Sequence, residues 1–538
     1  MSSAEAARRL RIVLLASWYG WFLVPLLLAS LARPFALWDY FTAPGLFHKG
    51  RPIEWGTLLS NALHNLFTGQ YVIRPTAVFL YDLQTLVFGG EFWLWYLLKW
   101  TALGAAVWMV ARLLQEFGCG WPARAAAVSL LLFHPARFTL MLHAPDGWVA
   151  LGMLAQLCLL SGSKFDAAKL SRARLAGWFA LAVFTIGAKE AAWVFQAALV
   201  LFVAWCNHRA WIRLFPHALL VAMWIRILTA GAERAKGFTT GAWLTRLIEQ
   251  SNLLIPASPL YSLYIVFSAL AAASLYFIWR KRHTLEARLA LFCWLTAAAL
   301  ISFVVIPPLV ALRYLIPPMF LLAIALGFAL HWLPRFRSAA AGILIVVYPL
   351  FTAGSIYRQE LAYQHQFFEI STALQEMDTR ARAGYSVVLT GLPGDFQGEA
   401  FHTIYRYFFQ YGPKWYGLDT PRAAVVVNET GWPEQRFTLL SLFDPSRLER
   451  EGKLDPRRLE AAYALVPGDF GTLGSLASLY YRLDRLLGRP PTYVYDNGGP
   501  EIRTTPHFYL YVARGVSDPQ QATWQLSEMP AGRKPGAF

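Results

Sequence analysis

The chain has 538 residues, of which 57% are hydrophobic and only 15% carry a charge. Soluble domains carry about 25% charged residues, so the composition argues against a soluble protein and for one that is embedded in lipid. The formal net charge is +16, but the basic residues lie mostly in short gaps between apolar runs. That placement is typical of membrane topology signals, and nucleic acid is not an expected partner.

Apolar runs follow one another along residues 1–356, and each approaches the roughly 20 residues that a spanning helix needs. The first run begins at Ile12, soon after Arg8 and Arg9. It has no small-residue cleavage site, which favours a retained helix over a signal peptide. The predicted fold class is mainly α, a polytopic membrane helix bundle of about eleven spans, at 12–32, 91–114, 122–140, 147–163, 174–188, 190–206, 212–230, 259–279, 288–305, 312–332 and 338–356.

Two of the gaps between predicted spans are longer than the others, at 33–90 and 231–258. Both combine proline, glycine and mixed charge with moderately apolar stretches, in the first case at 58–68 and 76–89. Such stretches are typical of helices that lie along a membrane surface. We therefore predict that both gaps are interfacial outer loops of the membrane domain.

Basic residues alternate between the gaps, and this alternation sets the predicted orientation. Inner loops of membrane proteins are enriched in Lys and Arg. With the N-terminus inside, each inner gap is basic, as at Lys169, Arg213 and Arg282. An odd number of spans then places residues 357–538 outside. The predicted location is the bacterial inner membrane, multi-pass, with an extracytoplasmic C-terminal domain.

The region 357–538 differs in character from the membrane domain, because it is polar and charged. Helical stretches are predicted at 360–382 and 397–410, with short β-like runs beside them. Alternation of this kind predicts a mixed α/β domain. The β-like runs are Tyr385–Thr390, Ala423–Val427, Tyr493–Tyr495 and Phe508–Val512.

A set of ionisable residues stands in short gaps at the predicted outer helix ends. A charge at the centre of a membrane helix costs about 2.5–3.5 kcal/mol, so such residues normally face one another or a cavity and mark functional sites. By the predicted topology all of them converge on the outer face. The candidate site consists of Asp39, Arg74, Asp82, Arg137, Asp146, Lys189, Glu190 and Arg313.

The first three of these residues each have a second, purely structural interpretation. Asp39 also suits a solvated acid at the interface, and Arg74 suits an arginine that extends its charge to the membrane surface. Asp82 fits a helix cap or a solvated side chain on an interfacial helix better than a site residue. The sequence leaves the first two alternatives open.

The later charges are harder to explain by structure alone. Arg137 and Asp146 either pair across a short turn or line a site. Lys189 and Glu190 interrupt a long and otherwise nearly continuous apolar run, which favours a functional role. Arg313 lies between two spans beside proline pairs, and there phosphate binding is favoured over a plain anchor.

Six short motifs occur in a fixed order along the membrane domain: Asp39 after the first helix, then Arg74-Pro75, Phe88-Gly89, His134-Pro135, Lys189-Glu190 and Arg313-Tyr314. In this order and spacing they resemble the GT-C superfamily of membrane glycosyltransferases, closest to protein O-mannosyltransferases and their bacterial relatives. The resemblance covers about residues 10–355. The C-terminal region resembles no family.

The resemblance implies transfer of a sugar from a polyprenyl-phosphate donor to an acceptor on the non-cytoplasmic face of the membrane. By position, Asp39 matches the acid that takes the proton of the acceptor as general base. Arg74, Lys189 and Arg313 would hold the donor phosphate and stabilise the charge that develops on it. No metal and no other cofactor are implied.

Three further residues would bind substrate if the resemblance holds. Glu190 would orient Lys189, while Asp146 and Arg137 would contact the sugar or the acceptor. The chain departs from many relatives, which have two adjacent acids after the first helix where this one has a single Asp39. Glu54 and Asp82 are therefore alternative candidates for the base.

A transporter or flippase for a lipid or sugar is the alternative function, because it too requires many spans and intramembrane charges. The membrane domain lacks the internal repeat that many transporters have, which favours the transferase. A binding or scaffold protein that works through its outer domain is a third possibility. Neither the sugar nor the acceptor is specified, so lipid, protein and polysaccharide acceptors all stay open alongside the surrounding membrane lipid.

Overall fold

The fold is known from a computed structural model, which describes residues 3–32, 53–68, 73–88, 91–133, 145–207, 211–231, 274–305, 316–333, 337–350, 352–353, 356–357, 385–388, 440–441, 508–514 and 525–527. The described part of the chain is mainly helical. Its helices are α1 Ser3–Ala32, α2 Leu58–Thr68, α3 Pro75–Phe88, α4 Phe92–Glu116, α5 Trp121–Phe133, α6 Pro145–Ser161, α7 Arg172–Ala188, α8 Ala192–Cys206, α9 Trp211–Gly231, α10 Leu285–Val305, α11 Ile316–Trp332 and α12 Arg337–Gly342.

The helices occupy the segments that the apolar runs predict. A helix lies within or across every predicted span except 259–279, which lies largely outside the described residues apart from a helix over 274–280. The two stretches predicted at 58–68 and 76–89 are also helical, as α2 and α3. Of the second predicted outer loop, only its first residue is described.

Three of the described helices are long and apolar enough to cross a membrane: Arg9–Leu28, Trp93–Glu116 and Leu285–Ser302. Shorter apolar helices accompany them at Trp121–Phe133, Ala192–Cys206, Trp211–Trp224, Ile316–Trp332 and Ala339–Leu350. These helices support an association of the chain with membrane, as the composition predicts. The number of crossings stays a prediction.

Most of the described helices pack around a large apolar core, and a second apolar cluster joins α1, α5, the end of α11 and the last helix. α6 packs against α7, α10 against α11, and α4 against both α5 and α6. Small residues allow the closest approaches. A Cβ at Gly327 of α11 would overlap the side chain of Leu114 in α4, so glycine is required where these two helices meet. The core therefore fixes the ends of α4, α6 and α7 relative to one another.

The last helix contains a π-helical turn at Ile343–Val347, directly after α12. Two backbone carbonyl groups of this turn accept hydrogen bonds from side chains of other helices. The Leu344 carbonyl accepts a hydrogen bond of 2.6 Å from the Ser129 hydroxyl. The Ile345 carbonyl accepts one of 2.9 Å from the Trp18 indole. This turn therefore ties the end of the membrane domain to α1 and α5.

Asp166 organises the loops at the end of the bundle where α6 ends and α7 begins. Its carboxylate accepts from the Ala168 backbone N–H at 2.9 Å and from the Asn207 side chain at 2.8 Å. Burial raises the pKa of Asp166, but these hydrogen bonds and the charge of Lys169 outweigh it, so that the pKa is lowered overall. The carboxylate therefore stays ionised and joins two loops.

The described part of the C-terminal region is a small antiparallel sheet. Its strands are β1 Tyr385–Val388, β2 Leu440–Ser441, β3 Phe508–Arg514 and β4 Gln525–Ser527. β3 is central, because each of the other strands pairs with it. β1 and β3 fall where the sequence predicts strands. The predicted runs Ala423–Val427 and Tyr493–Tyr495 and the predicted helices lie outside the described residues, so the α/β domain stays a prediction.

Candidate functional site

The candidate site lies at the junction between α7 and α8. α7 ends at Ala188, and Lys189 then adopts an extended backbone before α8 begins at Ala192. This break in the helix lets the neighbouring side chains of Lys189 and Glu190 point to different partners. Both partners are charges that the sequence places in the site.

Lys189 forms a buried ion pair with Asp146 in the first turn of α6. The Lys189 Nζ donates to both carboxylate oxygens of Asp146, at 2.6 and 2.7 Å. The side chains are 6% and 3% exposed. Desolvation of two charges is costly, and it is offset only when the pair is close and well hydrogen-bonded, as it is here.

Glu190 forms a second ion pair, with Arg74 immediately before α3. The Arg74 Nε lies 3.1 and 3.0 Å from the two carboxylate oxygens of Glu190, and Nη2 lies 2.9 Å from one of them. The two side chains are 21% and 20% exposed. In addition, the Arg74 backbone N–H donates to Asn65 Oδ1 at 2.6 Å, which fixes the start of α3 against α2.

These four residues, Arg74, Asp146, Lys189 and Glu190, are called the ion-pair cluster below. Close helix packing brings them together. A Cβ at Gly187 would overlap the Thr76 hydroxyl, so glycine lets α3 approach the last turn of α7. The start of α3 is thereby held beside Glu190.

Buried hydrogen bonds between polar side chains fix α6 and α7 relative to each other. The Trp178 indole donates to Gln156 Oε1 at 3.0 Å, and Gln156 Nε2 donates to the Thr185 hydroxyl at 3.0 Å. A Cβ at Gly152 would overlap that hydroxyl, so α6 and α7 lie in close contact. Buried hydrogen bonds of this kind specify the register between two helices, and the register aligns Asp146 with Lys189.

Asp82 differs from its predicted environment. The sequence favours a helix cap or a solvated side chain, but Asp82 is fully buried within α3. Its Oδ2 accepts a hydrogen bond of 3.1 Å from Asn61 Nδ2 in α2. The prediction was wrong because the sequence around Asp82 does not indicate that Asn61, which is 21 residues away, donates a hydrogen bond to it. Asp82 joins the two helices that precede the cluster.

Lys99 is a charged residue near the cluster that sequence reasoning missed. It lies in α4 and is 4% exposed, with its Nζ 5.1 Å from the centre of the Trp148 ring. Trp148 follows Asp146 by two residues on α6. The signal was present, because Lys99 is the sole charge in an apolar run from Phe92 to Val110, and isolated charges in a span mark functional sites.

The structure thus brings four of the predicted site residues together and leaves three untested. Asp39, Arg137 and Arg313 lie outside the described residues. Asp146 pairs with Lys189, and the alternative pairing of Arg137 with Asp146 lies outside the described residues. Glu190, predicted to orient Lys189, is bound to Arg74. Within the described part of the chain, no three His, Cys, Asp or Glu side chains lie close enough together to bind a metal ion.

The chemistry of the cluster is suited to an exchange of one anionic partner for another. Both cations have a carboxylate partner, and the Arg74–Glu190 pair is the more accessible of the two. Arginine binds phosphate and carboxylate in the same bidentate geometry. A phosphate that reached the cluster would therefore replace Glu190 at Arg74 more readily than Asp146 at Lys189.

No family model, curated protein or solved structure matches this chain.

Proposed function

We propose that the protein is a membrane glycosyltransferase that moves a sugar from a polyprenyl-phosphate donor to an acceptor on the outer face of the membrane. The observation that carries this proposal is the ion-pair cluster, in which a partly exposed Arg74–Glu190 pair lies next to the buried Lys189–Asp146 pair. Charges gathered at one end of an apolar bundle are expected for a charged substrate with a lipid tail.

In the proposed mechanism Arg74 is the first cation to meet the donor phosphate. It exchanges the carboxylate of Glu190 for the phosphate oxygens and stabilises the charge that the departing lipid phosphate acquires. Lys189 adds positive charge from within the bundle while Asp146 holds its ammonium in place. Arg313 completes the phosphate site, Arg137 contacts the sugar or acceptor, and Asp39 acts as the base.

The Arg74→Gln variant tests the phosphate site. The change removes a charge-assisted contact and should weaken binding of a polyprenyl phosphate about ten- to a hundredfold. Affinity is measured on the purified full-length protein in detergent. Arg112→Gln is the matched control. Arg112 also pairs with a glutamate, Glu116, but it lies near the end of α6, whereas the ion-pair cluster lies near the start of α6. Equal affinity of Arg74→Gln and the wild type would refute the phosphate site.

The proposal also includes the membrane topology of eleven spans with the C-terminal region outside. It is supported by the alternation of basic gaps and by the antiparallel order of α6, α7 and α8, which places the ion-pair cluster at one end and Asp166 at the other. The cluster then lies on the side where the extracytoplasmic C-terminal domain is expected.

Cysteine labelling in intact cells tests this topology. Cysteines at Ser171 and Ser338 should be shielded from an impermeant thiol reagent, whereas one at Thr430 should react. Two of the four native thiols should give little background labelling, because they are buried. Cys119 and Cys293 are buried. Burial raises the pKa of Cys119 to about 12; the charge of Arg124 lowers this pKa by less, and the charge of Glu286 raises it further. Labelling at all three introduced positions would exclude the proposed orientation.

A further inference from the structure

An open cleft of about 480 Å³ lies at the opposite end of the bundle from the ion-pair cluster. Its walls come from the end of α8, from the helix over 274–280 and from the start of α10. It is lined by apolar, aromatic and basic side chains, among them Trp205, Leu275, Trp279, Arg282, His283 and Arg288. The volume is within the usual range for a small-molecule site, about 300–1,000 Å³.

Two arginines in the cleft are held by tryptophan rings. The Arg282 guanidinium carbon lies 4.7 Å from the centre of the Trp279 ring. The Arg288 guanidinium carbon lies 5.2 Å from that of Trp205. The Arg288 Nε is buried and has no hydrogen-bond acceptor within the described part of the chain. This nitrogen is covered by protein, so a ligand in the cleft would meet the rest of the half-buried Arg288 side chain, which lines the wall.

The ionisable side chains that line the cleft are all basic. The segment 280–288 contains three arginines, Lys281 and His283, against a single acid, Glu286, and Glu286 is not among the residues that line the cleft. Beside these charges, Trp205, Trp279 and Leu275 expose large apolar surfaces. The cleft therefore offers cations for an anionic head and apolar surface for a hydrocarbon tail.

We propose that this cleft binds an anionic glycerophospholipid of the inner leaflet. The phosphate lies between Arg282 and Arg288, and the first part of the acyl chains lies along Leu275 and the two tryptophan rings. Basic pockets between helices on the cytoplasmic side are suited to anionic lipid head groups. A free phosphate ion would use the two arginines alone and would leave the exposed apolar wall unused, so the lipid fits the whole cleft.

Native mass spectrometry of the purified full-length protein tests the proposal, with phosphatidylglycerol and phosphatidylcholine of identical acyl chains as probes. The wild type should bind one phosphatidylglycerol at least about tenfold more tightly than phosphatidylcholine, and Arg288→Gln should remove this preference. Arg280→Gln is the matched control, since Arg280 belongs to the same basic segment but is not part of the cleft wall. It should bind as the wild type does.

A second variant tests the contribution of the cleft volume independently of the basic side chains. Leu275→Trp changes an exposed position, keeps every cation and fills part of the cleft, so it should also weaken phosphatidylglycerol binding. Equal binding of both lipids to the wild type would show annular lipid only and overturn the proposal. Complete displacement of the lipid by millimolar inorganic phosphate would overturn it in favour of a free-anion site. Neither outcome bears on the ion-pair cluster at the other end.

Discussion

Replacement of Lys189 by alanine should lower the free energy of unfolding by about 3–5 kcal/mol, because it leaves the buried carboxylate of Asp146 without its cation. The pair is almost fully buried, and its Nζ lies 2.6 Å from the nearer oxygen. Asp146→Ala should cost a similar amount for the converse reason. Unfolding is measured by titration of the purified protein in mixed micelles with a denaturing detergent.

Replacement of both Lys189 and Asp146 completes a double-mutant cycle for this ion pair. In Lys189→Ala/Asp146→Ala neither charge is left buried, so the loss should be smaller than the sum of the two single losses. Lys169→Ala is the control, since Lys169 is 68% exposed and lies 3.5 Å from Asp166. Pairs of that kind are worth at most about 1 kcal/mol. Additive losses in the double variant would mean that the pair contributes no coupling energy.

This stability effect changes how the donor site has to be tested. From sequence alone, Lys189→Ala would be expected to weaken polyprenyl-phosphate binding without unfolding the protein. The burial of Lys189 makes loss of fold the first consequence. Arg74, whose pair with Glu190 is more accessible, is therefore the better position for a binding measurement.

Asp39→Asn should lower sugar transfer by about 100-fold or more, the usual scale for loss of a general base. The variant keeps the size and most of the hydrogen bonding of the side chain but cannot accept a proton at neutral pH. It should still fold and still bind the donor lipid. The measurement uses membranes, a labelled polyprenyl-phosphate sugar and an extract of candidate acceptors.

The same assay distinguishes a transferase from a transporter. A lipid or sugar transporter would give no glycosylated product with either the wild type or Asp39→Asn, and substrate movement would be what changes. Transfer at the wild-type rate by Asp39→Asn would place the base elsewhere. Glu54→Gln would then be the next variant, because Glu54 is exposed beside α2, whereas Asp82 is buried and hydrogen-bonded to Asn61.

The helices could be predicted from the sequence because apolar composition decides them. Each long apolar run in the described part of the chain is a helix, and even the weaker stretches that became α2 and α3 were found from their composition. The position of the four clustered candidate residues at one end of the bundle follows from the same information. Once helix order is known, Lys189 and Asp146 must lie at the same end of α6 and α7.

The partner of each charge could not be predicted. Asp146 had Arg137 as a nearby candidate in the chain, yet it pairs with Lys189, which is 43 residues away. That choice depends on the register of α6 against α7, which is set by Gly152, Thr185 and the buried side chains around them. Composition and periodicity do not contain such a register. Lys99 was missed for a different reason, since it lies inside the predicted span 91–114, whereas the candidate residues lie at predicted helix ends.

The extended residue between α7 and α8 has a consequence for motion. Lys189 and Glu190 are consecutive, so their Cα atoms are about 3.8 Å apart across one peptide unit. One side chain holds α6 through Asp146, and the other holds the start of α3 through Arg74. Any rotation of that peptide changes both distances together. The fluctuations of α3 and those of α6 are therefore correlated through a single backbone linkage, and hydrogen exchange at α3 and α6 should slow or quicken in step.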